Sequence, residues 1–148
     1  MAMDQADIDL RNATYRQFVD LGRAPTRVEV AATVGTTAEE VALGWRRLHD
    51  AHAVVLDAEG AIAMLNPFSA RPTPFVVEAA GRSWFGNCGW DALGIGAALG
   101  VDGVIRTTCA DCSEPITIDV RGGLPVDASP VFHVLVPAAQ WWDNIGFT

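Results

Sequence analysis

The chain contains no lysine: all ten basic residues are arginine, set against 18 acidic ones for a formal net charge of −8. We read the arginine-only usage as base-composition bias. The charge balance matters more, because a nucleic-acid reader needs a basic footprint to neutralise phosphates. No apolar run approaches the roughly 18–20 residues of a membrane span, and no basic-then-apolar start marks a secretory signal. The expectation is a cytoplasmic protein with no membrane partner. Cysteine is scarce as well: three residues, an odd number too small for a disulfide framework. Phosphate loops, nucleophile elbows and HExxH are absent, and Gly94-Ile-Gly96-Ala-Ala-Leu-Gly100 has the wrong spacing for a dinucleotide fingerprint. In a reducing compartment the three thiols are structural, metal-binding or nucleophilic.

What is present is 148 residues, 50% of them hydrophobic, enough for one compact unit or two small ones. Ile8, Ala13, Phe18 and Leu21 space out a first helix closed by Gly22. Thr26-Arg-Val-Glu29 is a capping box for a second helix that Gly35 stops. Thr36 and Thr37, with Glu39 and Glu40 three residues on, open a third, and Val41, Trp45, Leu48 and His52 follow along one face. Ala53–Leu56 and Ala61–Leu65 then flank Asp57–Gly60 as a β-hairpin.

Three helices and a hairpin make a winged-helix-like order over residues 1–70. This part carries six arginines against ten acidic residues, so a structural role is preferred and DNA is not the expected partner. His49 and His52 stand i, i+3 on the third helix, but no carboxylate or thiol at helical spacing completes a metal site with them.

Residues 66–74 hold three prolines and read as an extended connector. Beyond it, residues 71–148 form a second part. Phe75–Ala79 and Arg82–Phe85 make a hairpin about Gly81, and Asn87 is an N-cap for a helix that runs through Ala92 and Leu99 to Gly100. The fold class is therefore α+β, with a mixed core of short antiparallel strands and one or two helices.

If the helix begins at Asn87, Cys88 lies in its first turn. Free N–H groups and the positive helix end should then lower the thiol pKa. Asp91 follows three residues later on the same face, so a soft-metal ligand and a proton carrier stand side by side. The competing reading is a buried cysteine beside an ordinary N-terminal carboxylate.

Cys109-Ala-Asp-Cys112 occupies a turn between strands Val104–Thr108 and Ile116–Val120. It is half a zinc site with no second half in sequence; Cys88 and His133 would join it only through folding. A thioredoxin-like role needs the pair to open a helix, which this turn does not. Trp84, Phe85, Trp90, Trp141 and Trp142 flank the region as core or as walls of a dry pocket.

Taken together, these segments resemble the organomercurial (alkylmercury) lyases. The resemblance is carried by Trp84-Phe-Gly-Asn-Cys88-Gly-Trp-Asp91-Ala-Leu93, by Ile105-Arg-Thr-Thr-Cys109-Ala-Asp-Cys112-Ser-Glu-Pro115-Ile, and by Phe132-His-Val-Leu-Val-Pro137 with Trp141-Trp142 as a closing segment. It implies cleavage of a C–Hg bond by protonolysis, to a hydrocarbon and Hg(II). Cys88 would be the first mercury-binding thiol, Asp91 the proton-shuttling carboxylate, and Cys109 a buried structural cysteine near the site. No cofactor is implied beyond Hg(II) as substrate- or product-bound metal, with external thiols or a mercuric reductase to take the product.

The family's second catalytic cysteine belongs to a final strand. The sequence ends at Asn144-Ile-Gly-Phe147-Thr148, where that strand would begin. Either Cys109, Cys112 or an external thiol then completes the mercury ligands beside Cys88 and Asp91, or the natural chain continues past Thr148 and supplies the second thiol. A non-catalytic Hg or Cu binding or sensing protein, or an idle family member, are the alternative readings.

Overall fold

The computed structural model describes residues 3–146. Helix α1 (Gln5–Leu21) is capped by Asp4, whose side chain accepts from the Asp7 N–H, and ends on left-handed Gly22. Helix α2 (Arg27–Val34) opens with the full Thr26–Glu29 capping box. Helix α3 (Ala38–Asp50) opens with the corresponding box between Thr37 and Glu40, and buries Val41, Gly44, Trp45 and Leu48. Each cap supplies acceptors for N–H groups that the first helical turn leaves unpaired.

Two contacts fix α3 against α1. The Trp45 indole donates to Thr14 Oγ1 at 3.0 Å inside the core, and Arg47 donates from Nε and Nη2 to Asp7 Oδ1 at 3.0 and 2.8 Å. Arg47, on α3, is thus spent on an intramolecular pair. His49 and His52 diverge. The first accepts the Leu56 N–H at Nδ1 (3.3 Å), while the second, at φ 59°, stacks on Trp142 with ring centroids 4.0 Å apart. No shared ligand position results.

Strands β1 (Val55–Leu56), β2 (Ile62–Leu65), β3 (Phe68–Ser69), β4 (Val76–Ala79), β5 (Arg82–Gly86), β6 (Gly103–Thr108), β7 (Pro115–Arg121) and β8 (Leu124–Pro125) form one sheet in the order β1-β2-β3-β5-β4-β6-β7-β8. Every neighbouring pair is antiparallel. The fold is α+β.

One expectation changes here. The proline-rich stretch is not merely a connector: Phe68–Ser69 pairs with β2 on one side and β5 on the other, so the sheet runs unbroken across residue 70. Its first bond, Asn66–Pro67, is cis. Phe68 is buried and touches rings in both directions, 5.3 Å to Phe18 on α1 and 6.3 Å to Trp84 on β5. The core is accordingly one cluster, from Val30 and Trp45 through Leu65 and Phe68 to Ile95, Ile105 and Val120.

Helix α4 (Gly89–Leu99) packs on the sheet and buries Ala92 and Ile95. A 3-10 turn, Ala138–Asp143, follows the irregular residues after β8. No helix among the described residues is long and apolar enough to cross a membrane. Phe147 and Thr148, where the family's last strand would begin, lie outside the described residues.

Candidate functional site

The site grows from the junction between β5 and α4. Strand β5 ends on Gly86, and a Cβ there would meet the Ala92 backbone nitrogen at 2.8 Å and the Cys88 carbonyl oxygen at 3.1 Å. Only hydrogen fits, and the start of α4 lies directly on the strand end. The helix begins one residue later than the sequence suggested: Cys88, not Asn87, is the N-cap, in extended geometry (φ −149°, ψ −176°). Cys88 therefore caps the first turn rather than sitting within it.

The expected drop in its thiol pKa does not occur. Burial pushes the Cys88 thiol up, and the nearby Asp91 charge adds to that. The backbone N–H groups of Asp91 and Trp90 pull the other way and lose. They face the sulfur without closing a regular cap hydrogen bond. Desolvation outweighs the helix start, so at neutral pH the resting group is the thiol.

Asp91 is also raised above the usual carboxylate range, by burial, against a hydrogen bond from Asn87 that favours the charged form. Asn87 Nδ2 stands 3.0 Å from Asp91 Oδ2 and 3.2 Å from Asn66 Oδ1, while Asn87 Oδ1 is buried with no partner. The Tyr15 hydroxyl donates to the Asn66 carbonyl at 2.8 Å. Its own pKa is raised, chiefly by burial, with Asp91 a further contributor. A polar chain thus runs from α1 to the carboxylate. Asn87, read from sequence as a cap, is instead the residue that holds Asp91.

Beside Cys88 lies a cavity of about 150 Å³, walled by Phe75, Gly89, residues 132–136 and Trp141. Its lining is mostly apolar, and the Trp141 indole donates to the Val136 carbonyl at 2.7 Å, pinning the covering segment. His133 belongs to that lining, a meeting with Cys88 that spacing alone could not reveal. Of the five flanking aromatics only Trp141 is a wall. Trp84 is core, Trp90 is largely exposed, and Trp142 is stacked on His52.

Neither Cys109 nor Cys112 lines this cavity. They form their own pair at the β6–β7 turn, and no group of three or more His, Cys, Asp or Glu that could hold a metal exists among the described residues. Cys88, Asp91, Cys109 and Cys112 are thus two pairs, not one centre. Cys109 is half-exposed, which corrects the buried structural role implied by the resemblance. Its thiol pKa is lowered by N–H groups of Cys112 and Asp111 and by the Cys112 side chain.

An antiparallel α+β protein with a half-buried thiol and a raised carboxylate at one helix start is a candidate for soft-metal and proton chemistry. The alkylmercury lyase family profile matches residues 68–148, from strand β3 to the end of the sequence. The chain belongs to the alkylmercury lyase family. Among solved structures it is similar to the mercury-bound form of MerB2, at a TM-score of 0.68 and 24% identity over 84% of this chain. That likeness is one of fold. This chain spans 60% of the length of that protein. No curated protein matches it.

Proposed function

We propose that the protein is an organomercurial lyase, cleaving C–Hg bonds by protonolysis with Cys88 as mercury ligand and Asp91 as proton carrier. The observation that carries this reading is the pairing of a half-buried thiol on an apolar cavity with a carboxyl that burial predisposes to hold a proton. Family membership supports it.

In the proposed sequence, the Cys88 thiol exchanges with the leaving ligand of R–Hg–X. A Cys88 S–Hg bond forms, and H⁺ and X⁻ depart. A second, free thiol then adds its sulfur to mercury and gives its proton to Asp91. Greater sulfur coordination weakens the C–Hg bond. Asp91 protonates the carbon, the C–Hg electron pair forms the new C–H bond, and R–H leaves. Mercury stays as a Cys88 S–Hg–SR complex, which further thiol or a reductase collects. No resident cofactor enters this scheme. The apolar walls suit both the organic group and the exclusion of bulk water.

A second reading, mercury binding without turnover, is favoured by one observation: Cys88 is the sole thiol on the cavity among the described residues. Incubation with phenylmercury acetate and excess thiol separates the two, with benzene release measured by gas chromatography. Lyase activity predicts release that falls by at least about 100-fold in Asp91→Ala, the scale of a lost general acid, and disappears in Cys88→Ser. Stoichiometric mercury retention with no benzene would instead establish the binding role.

A further inference from the structure

The tip of the β6–β7 hairpin has a construction that the cleavage scheme does not use. Thr108 and Pro115 are the last cross-strand partners before the turn. Beyond them the Cys109 N–H donates to the Glu114 carbonyl and the Ser113 N–H to the Cys109 carbonyl, both at 2.9 Å. Ser113 takes a left-handed φ of 61° to close the reversal. This tight reversal turns the backbone of Asp111 and Cys112 toward the Cys109 sulfur and brings the Cys112 side chain beside it. Two sulfurs therefore sit together on a hydrogen-bonded loop, with backbone donors behind one of them and solvent in front. Cys112 is exposed and Cys109 half-exposed, and neither faces the Cys88 cavity.

The donor set selects the ion. Tetrahedral zinc wants four ligands, and no third His, Cys, Asp or Glu joins the pair among the described residues. A thiophilic ion that is satisfied by two sulfurs has what it needs here. Asp111 and Glu114, in the same turn, add negative charge that favours a cation.

We propose that Cys109 and Cys112 form a second, solvent-facing two-thiolate site for Hg(II), separate from Cys88. Binding is ligand exchange without redox change: the two S–H bonds and the two bonds from mercury to its incoming thiolate or chloride ligands break, two S–Hg bonds form, and the displaced ligands carry away the two protons. Because both sulfurs belong to one turn, the second bond closes at high effective concentration. The pair therefore outcompetes free monothiols, and a single cysteine does not.

The test uses the full chain, reduced, with mercuric chloride and no organomercurial, so that failure of cleavage at Cys88 has no bearing on it. Cys88→Ser protein is equilibrated with Hg(II) and excess 2-mercaptoethanol and desalted. Bound mercury is then counted by plasma mass spectrometry, and the ion-to-chain ratio is read by native mass spectrometry. The expected result is one Hg(II) per monomeric chain. At least about tenfold less should remain when either Cys109→Ser or Cys112→Ser is added, two separate variants that each keep the wild-type circular dichroism. Equal retention in the Cys88→Ser protein and both double variants would overturn the proposal. So would an ion shared by two chains.

Discussion

Asn87 donates its side-chain amide to Asp91 Oδ2 at 3.0 Å, from a position one residue before the thiol that Asp91 is proposed to serve. The bond steadies the charged carboxylate, yet burial prevails and the carboxyl pKa is raised. Protonation of Asp91 is therefore favoured by folding. Below the ordinary carboxylate range Asp91 is protonated in both folded and unfolded chains and costs nothing. As pH rises through its folded-state value, the ionised group becomes a burden on the native state. Asp91→Asn, which keeps an oxygen for Asn87, should thus be more stable than wild type at neutral pH, while C–Hg cleavage is lost. Thermal unfolding from acid to neutral pH checks this, the stability difference opening upward with pH. A difference that is constant across the range would show that burial of the charge is not its cause.

Gly86 governs where the thiol sits. A methyl group at this position runs into the Ala92 backbone at 2.8 Å, and backbone cannot swing aside as a side-chain tip can. Gly86→Ala must therefore lift the first turn of α4 from β5, at a cost of about 1–3 kcal/mol, the usual scale of overpacking. Urea denaturation should register that loss, and the Cys88 alkylation rate should change with it because the capping residue moves. Wild-type stability together with an unchanged alkylation rate would contradict the tight junction.

What could be read from the sequence follows the range of each interaction. Thr26 with Glu29 and Thr37 with Glu40 act within one helical turn, and both boxes form as their spacing predicts. The turn at Gly81 and the strands around Cys109–Cys112 are similarly local. Phe68–Ser69 escaped because a two-residue strand has no period, and its partners are Met64, Leu65, Phe85 and Gly86. The Cys88–Asp91 spacing was legible, and the resemblance gave it a role. The direction of the thiol's pKa was not. Its helix-start argument was local, whereas the desolvation that defeats it draws on a cavity lid more than forty residues away. Asn87 had the right chemistry for a cap, and only the backbone geometry reassigned it to Asp91.

Acid should loosen α2 in a defined window. The hydrogen bond from Arg23, assisted by the Thr26 backbone and side chain, holds the Glu29 carboxyl at about 2, below its ordinary 4.5. A depressed carboxylate supports the fold fully above the ordinary value, and that support is lost as pH falls from 4.5 toward 2. Glu29→Gln should lower the melting temperature at neutral pH, with the gap to wild type narrowing across this window. Because Glu29 is exposed, added salt should shrink the gap as well. Parallel melting curves down to pH 2 would contradict the assignment.

Gly89 leaves room for the Phe132 ring, which would stand only 2.8 Å from a Cβ at that position, and the ring closes one side of the cavity. Phe132 is itself 44% exposed, so its removal opens a path to water without emptying the central core. Burial is the largest influence raising the Cys88 thiol, while the Trp90 and Asp91 N–H groups that lower it belong to α4 and remain. Phe132→Ala should therefore bring the thiol pKa down and increase the rate of Cys88 alkylation by iodoacetamide several-fold at neutral pH, since the thiolate is the reacting form. Easier access alone would also raise that rate, but by a constant factor. A lowered pKa moves the midpoint of the rate–pH profile toward acid. Measured in a Cys109→Ser, Cys112→Ser background so that only Cys88 reacts, an unshifted midpoint would show that Phe132 shields the sulfur without setting its charge.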